Sequence, residues 1–164
     1  MKIYELVKTQ IIDSSIDNVF DFFSKPGNLK KITPEKLSFN IITPTPITMD
    51  KGTVIDYTIR LFGIQVHWRT LITMYDPPHE FIDEQIKGPY NFWHHNHKFK
   101  EVEGGVEISD KVNYSIPMGV FGRVLHFFWI KRDLEKIFLH RKKIIENIFD
   151  KNSPGGNQGH ERNS

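Results

Sequence analysis

The stretch Trp93–Phe99, WHHNHKF, sets three histidines within four residues and flanks them with aromatics. Imidazole titrates near neutral pH and also ligates metals, so such a group can move a proton, hold an ion or anchor a polar ligand. The outcome depends on which histidines share a face. Along a strand successive side chains alternate, so His95 and His97 point one way and His94 the other. Two residues on one face lie about 7 Å apart along the strand.

The surrounding pattern supplies the elements that must position them. Ile3 to Ile12 reads as a strand, and Ser14 or Ser15 can cap a helix carrying Ile16, Val19, Phe20 and Phe23 at helical spacing. Pro26-Gly27 stops that helix, and a second short one fits Asn28 to Ile32. Six strand-like runs follow: Leu37 to Thr43, Thr53 to Leu61, Ile64 to Tyr75, Glu80 to Lys87, Asn91 to Glu103 and Val106 to Ile116. The intervening turns are short, which demands an antiparallel meander. From Val120 to Phe149 the pattern becomes helical, with Val124, Phe127, Phe128, Leu134, Phe138, Ile145 and Ile148 on one broad stripe. That stripe should pack on the sheet. The polar, Gly/Asn-rich end, residues 150–164 with His160, reads as a disordered tail behind a single domain over 1–149.

The turns also fix a register. With Phe62-Gly63 as a two-residue loop, Leu61 faces Ile64, Tyr57 faces Trp68 and Ile55 faces Thr70. Closing Tyr75 on Glu80 sets Met74 against Phe81 and Ile72 against Asp83. A loop at Gly88-Pro89-Tyr90 sets Gln85 against Trp93 and Asp83 against His95. A loop at Gly104-Gly105 sets Phe99 against Asp110, His97 against Val112 and His95 against Tyr114. One face emerges as apolar and hence inner: Ile55, Tyr57, Ile59, Leu61, Val66, Trp68, Thr70, Ile72, Met74, Phe81, Trp93, Phe99, Ile108, Val112 and Tyr114. His95, His97, Asp83, Gln85 and Asp110 share it, while His94 goes outward with Asn96 and Lys98.

Buried polar groups need partners, and here they can satisfy one another: His95 with Asp83, and His97 with Asp110 or, diagonally, Gln85. The same cluster beside Tyr57, Trp68, Trp93 and Tyr114, with Phe127 and Phe138 from the helix, makes an apolar pocket with a few fixed polar groups, the usual form of a small-molecule site. His95, His97 and Asp83 are the candidates for proton transfer if the pocket is catalytic. A metal is not expected. Glu101 completes a cupin-like H-x-H-x-x-x-E, but Gly88 lies one residue too far from His95, and Gly122 stands where that pattern needs another histidine. No G-x-S-x-G, P-loop or dinucleotide fingerprint occurs, so no cofactor is expected. The run Phe127–Ile130 can cover a pocket mouth or meet a protein partner. Lys131, Arg132, Lys136, Arg141, Lys142 and Lys143 read as a solvated basic face.

Composition narrows the class. The chain has 164 residues, no cysteine and a formal net charge of +2. There is thus no disulfide or thiolate chemistry, no nucleic-acid footprint, no apolar run of membrane-spanning length and no signal-like N-terminus, and a cytoplasmic location is expected.

The stretches FDFFSKPGNLKKITP, GTVIDYTIRLFGIQVHWRT, FIDEQIKGPYNFWHHNHKF and ISDKVNYSIPMGVFGR resemble the START-like, or SRPBCC, superfamily. That group includes the birch-pollen allergen, START domains and polyketide cyclases, and the nearest likeness is to its bacterial cyclase/dehydrase-like branch. The resemblance runs from Ile3 to Phe149. It implies an α+β helix-grip fold, a curved seven-stranded antiparallel sheet wrapped around a long C-terminal helix, with a cavity between them. It also implies binding of a small, mostly hydrophobic molecule, or alternatively cyclase- or dehydratase-type chemistry with a cavity histidine as general acid or base.

Overall fold

The computed structural model describes residues 2–61 and 63–150. Strand β1 (Tyr4–Ile12) leads into α1 (Ile16–Phe23), a 3-10 turn (Pro26–Asn28), α2 (Leu29–Ile32) and a second 3-10 turn (Glu35–Leu37). Strands β2 (Asn40–Ile41), β3 (Val54–Leu61), β4 (Ile64–Asp76), β5 (Glu80–Lys87), β6 (Phe92–Val102) and β7 (Gly105–Ser115) follow. The chain ends in α3 (Gly119–Leu125), a π turn (His126–Ile130) and α4 (Lys131–Asp150). The strands form one antiparallel sheet in the order β1-β7-β6-β5-β4-β3-β2. This is the expected helix-grip architecture. Asp150, assigned to the tail, closes α4, and the remaining tail, 151–164 with His160, lies outside the described residues.

Ser15 is the cap of α1, its hydroxyl accepting from the Asn18 amide at 3.3 Å. The expected strand Leu37 to Thr43 shrinks to two residues, because Leu37 closes a 3-10 turn and Ser38 is left-handed at φ 45°. Leu61 pairs with Ile64 and Tyr57 with Trp68, as the turns dictate.

Two register expectations fail. In β4 a bulge makes Thr73 the extra residue, so Tyr75, not Met74, faces Phe81, and Met74 is turned to solvent. At the β6–β7 hairpin Val102 pairs with Gly105, so the two-residue loop is Glu103-Gly104 with Gly104 at φ +88°. His97 therefore faces Asp110, His95 faces Val112 and Trp93 faces Tyr114. The slip is two residues, so every side chain keeps its face while every partner changes.

The C-terminal helix also departs from a single stripe. Leu134, Phe138, Arg141, Ile145 and Phe149 form the buried line of α4. The π turn adds a residue to one helical turn and rotates what precedes it. As a result His126 is buried, while Val124, Phe127 and Phe128 are exposed.

Candidate functional site

A cavity of about 180 Å³ lies between the sheet, α4 and the segment from α1 to Met49. Sheet residues Ile55, Tyr57, Ile59, Trp68, Thr70, Ile72, Phe81 and Trp93 line one side, and Leu134, Ile137 and Phe138 of α4 the other. Leu29, Ile32, Leu37, Phe39 and Met49 roof it. Its polar end consists of Asp83, His95, His97 and Arg141.

Corrected pairing across β5, β6 and β7 puts the two imidazoles between two carboxylates. His97 Nε2 lies 2.9 Å from Asp83 Oδ1 and its Nδ1 2.8 Å from Asp110 Oδ1. Both nitrogens lie near carboxylate oxygens, which favours the doubly protonated ring, while Arg141 Nη2 stands 3.4 Å from Nδ1. His95 Nε2 donates to Asp110 Oδ1 at 3.0 Å, while its Nδ1 is 3.4 Å from Asp83 Oδ1, too far for a good hydrogen bond. The rings lean together, with centroids 3.7 Å apart. Arg141 Nη2 reaches in from α4 to 3.5 Å from Asp110 Oδ1.

The electrostatics follow from this geometry. Burial opposes charge on every member and is the largest single influence on each. For His97 the two carboxylates overcome it and raise the pKa. For His95 burial and the neighbouring His97 charge win, and the pKa falls, leaving a neutral ring. Asp83 is held below its usual range by His95, His97 and Arg141, and Asp110 well below it by Arg141 and both histidines. Two carboxylates thus face Arg141 and two imidazoles, of which His97 favours the charged form and His95 the neutral one. Burial also pushes the Tyr57 hydroxyl up, aided by Asp83, so it stays protonated.

Asp83, His95 and His97 can each offer one ligand atom within 4.8 Å of the others, a spacing open to a divalent ion. The chemistry fits an ion poorly. Arg141 already brings a fixed positive charge into the same cluster, and the nitrogens of His97 are occupied by Asp83, Asp110 and Arg141.

Of the residues singled out from sequence, Tyr57, Trp68, Asp83, Trp93, His95, His97 and Phe138 line the cavity. Four do not. Gln85 bonds Tyr90 instead, giving its amide to the Tyr90 carbonyl at 2.7 Å, and so ties down the β5–β6 loop. Asp110 stands behind the histidines as their anchor. Tyr114 turns to His126, with 2.9 Å between its Oη and Nε2, while Tyr4 stacks on the same ring. Phe127 is 74% exposed because of the π turn. His94 lies on the outer face, half-buried against Glu84 at 2.8 Å.

Arg141 is the residue sequence reading missed. Its charge assigned it to the solvated face, yet it is 9% exposed. Its position was the available signal, three after Phe138 and four before Ile145, on the buried stripe. On two residues that line the cavity, Trp68 and Arg141, the donors Nε1 and Nε are buried with no acceptor among the described residues.

Neither a protein-family model nor a curated protein matches the chain. Solved structures do. TTHA0849 from Thermus thermophilus is 14% identical with a TM-score of 0.73, over 92% of this chain and 99% of that one. The di-domain ARO/CYC StfQ of the steffimycin biosynthetic pathway is 11% identical with a TM-score of 0.69, over 92% of this chain and 52% of that one. Ginseng major latex-like protein 151 from Panax ginseng is 13% identical with a TM-score of 0.65, over 90% of this chain and 97% of that one. At these identities the likeness is one of fold, an antiparallel sheet gripping a long C-terminal helix.

Proposed function

We propose that the protein binds a small, mostly hydrophobic molecule that carries an acceptor oxygen. The observation that carries this reading is the cavity itself, with an aromatic and aliphatic wall in which Trp68 and Arg141 each keep a buried N–H that has no acceptor among the described residues. A buried donor left unpaired costs about 1–3 kcal/mol, which a ligand oxygen recovers. The volume suits a body of one ring or a short chain, since a cavity of about 150 Å³ accepts benzene. The charged cluster is internally balanced, so it favours a neutral carbonyl or hydroxyl over a full charge. No metal or cofactor takes part in this reading, because Arg141 supplies the local positive charge. The latex-like neighbour and the ARO/CYC neighbour share the fold that encloses such a space.

One geometric feature supports a second reading, that of a cyclase or dehydratase. His95 is neutral, held by Asp110 through Nε2, and its Nδ1 is left as a free base at the cavity.

A single experiment addresses both. Wild type and Ile59→Trp, which fills the cavity from β3, are incubated with a small-molecule extract of the host and examined by native mass spectrometry. We expect a small-molecule adduct on wild type that is absent from the variant, whose fold is checked by circular dichroism. A species consumed from the extract and returned at altered mass marks the enzymatic reading. No adduct and no altered species, or an adduct indifferent to Ile59→Trp, overturns both.

A further inference from the structure

The π turn and α3 carry an apolar surface that neither the cavity nor the core uses. Phe121, Phe127, Phe128 and Trp129 are 62%, 74%, 50% and 58% exposed, with Val120 and Val124 beside them. The three successive rings touch, Phe127 to Phe128 at 5.1 Å and Phe128 to Trp129 at 5.9 Å between centroids. Contiguous aromatic exposure on this scale marks a binding surface, not chance.

Charge says what covers it. From Lys111 to Arg132 the sequence has no carboxylate, and its charged residues, Lys111, Arg123, Lys131 and Arg132, are all basic. The first acid after them, Asp133, is paired with Lys36 at 2.6 Å. Lys131 and Arg132 are exposed directly beyond Trp129. Phe and Trp projecting from a helix, followed by exposed Lys131 and Arg132, fit the boundary between acyl chains and anionic headgroups. The rim of a protein interface would ordinarily carry charges of both signs. Gly122 packs closely on the turn that leads into the helix, where a Cβ would meet the Pro117 carbonyl oxygen. No described helix is long and apolar enough to cross a membrane, so the contact is with its surface.

We infer that the Phe121–Arg132 surface docks the protein peripherally on an anionic lipid bilayer. This goes beyond the cavity reading and does not depend on it. The test is co-sedimentation of the full chain with vesicles of phosphatidylcholine alone or with phosphatidylglycerol added. We expect binding to the anionic vesicles that weakens with added salt and is lower by roughly tenfold or more on neutral ones. Phe127→Ser/Trp129→Ser and Lys131→Glu/Arg132→Glu should each lose binding by a similar factor. Their thermal midpoints should stay near wild type, because these side chains are exposed. Wild type provides a second readout that needs no variant. Trp68 and Trp93 are buried at 5% and 8%, so lipids brominated in the acyl chain should quench chiefly Trp129.

Equal binding to both vesicle types, binding to neither, or binding unaffected by both variants overturns the inference. So does a concentration-dependent dimer, seen by sedimentation, that Phe127→Ser/Trp129→Ser abolishes, since the surface would then belong to a second copy.

Discussion

The interior between sheet and helix has two halves of similar chemistry and different fate. One holds Ile12, Ile16, Val19, Phe20, Phe23, Ile32, Phe81, Phe99, Val106, Ile108, Ile145 and Phe149. The other holds Phe39, Ile59, Trp68, Trp93, Val112, Tyr114, Leu134 and Phe138. Only three of the first twelve line the cavity, against six of the second eight, so the first half is the better packed, with Ile108 and Ile145 bordering a separate space between β1 and α4, and the second is hollow. The difference lies in the roof. Over the packed half α1 drops Ile16, Val19, Phe20 and Phe23 onto the sheet, and Phe20 meets Phe81 and Phe99 edge-on at 6.1 and 5.4 Å. Over the hollow half the roof is two 3-10 turns, a four-residue helix and a two-residue strand. Such pieces project few side chains inward. Apolar composition becomes core or cavity according to what covers it. The cluster of Asp83, His95, His97, Asp110 and Arg141 lies where the two halves meet, with Phe81 stacked on His97 from one side and Phe138 edge-on to His95 from the other.

Breaking the boundary should cost most. Arg141→Met leaves Asp83 and Asp110 facing a single imidazolium, and we expect a loss of about 3–5 kcal/mol in urea unfolding, as for other buried pairs stripped of one partner. A loss below ~1 kcal/mol would mean that Arg141 is spare.

The two halves should then differ under like truncations. Ile12→Ala opens a void in close packing and should approach the upper end of the ~2–5 kcal/mol range for such changes, with Leu134→Ala near the lower end, because Leu134 already borders empty space. Equal losses would deny that the halves are packed differently.

The smallest expected effect is on pH. His97 has a raised pKa, so its contribution is complete below the ordinary histidine value of 6.5 and fades as pH rises through the folded value. His95 is depressed, so stability falls as pH drops from 6.5 towards its folded value. Asp83 and Asp110 add a further loss only below 3.8, as pH falls through their lowered values. Stability should therefore peak near pH 6.5, declining by on the order of 1 kcal/mol per pH unit within each limb. His97→Gln should remove the alkaline limb. A flat profile from about pH 5 to 9 would contradict the assigned protonation states.

Much of this was legible in the sequence, because strand parity survives errors of two. Misplacing the turn at Gly104-Gly105 by one residue left His95, His97 and Asp110 facing inward and the expected His97–Asp110 contact intact, yet gave each the wrong opposite residue across β6 and β7. The Thr73 bulge breaks parity, and there Met74 was misassigned. Arg141 was hidden by its charge, which outweighed its stripe position. Phe127 was placed on the buried stripe, and His126 takes that place, because a π turn leaves no mark on a 3.6-residue pattern. A cavity has no sequence signal at all, since it depends on the roof failing to fill.

The central claim is that the hollow half is a ligand site whose unpaired donors read an oxygen. Calorimetry with acetophenone and ethylbenzene tests it most directly, as the two match in shape and differ by one carbonyl. An apolar cavity with no donor prefers ethylbenzene, the molecule less well hydrated. We expect wild type to prefer acetophenone by about tenfold, equivalent to ~1.4 kcal/mol, and Trp68→Phe to abolish or reverse the preference. A wild-type preference for ethylbenzene, or an acetophenone preference untouched by Trp68→Phe, would contradict it.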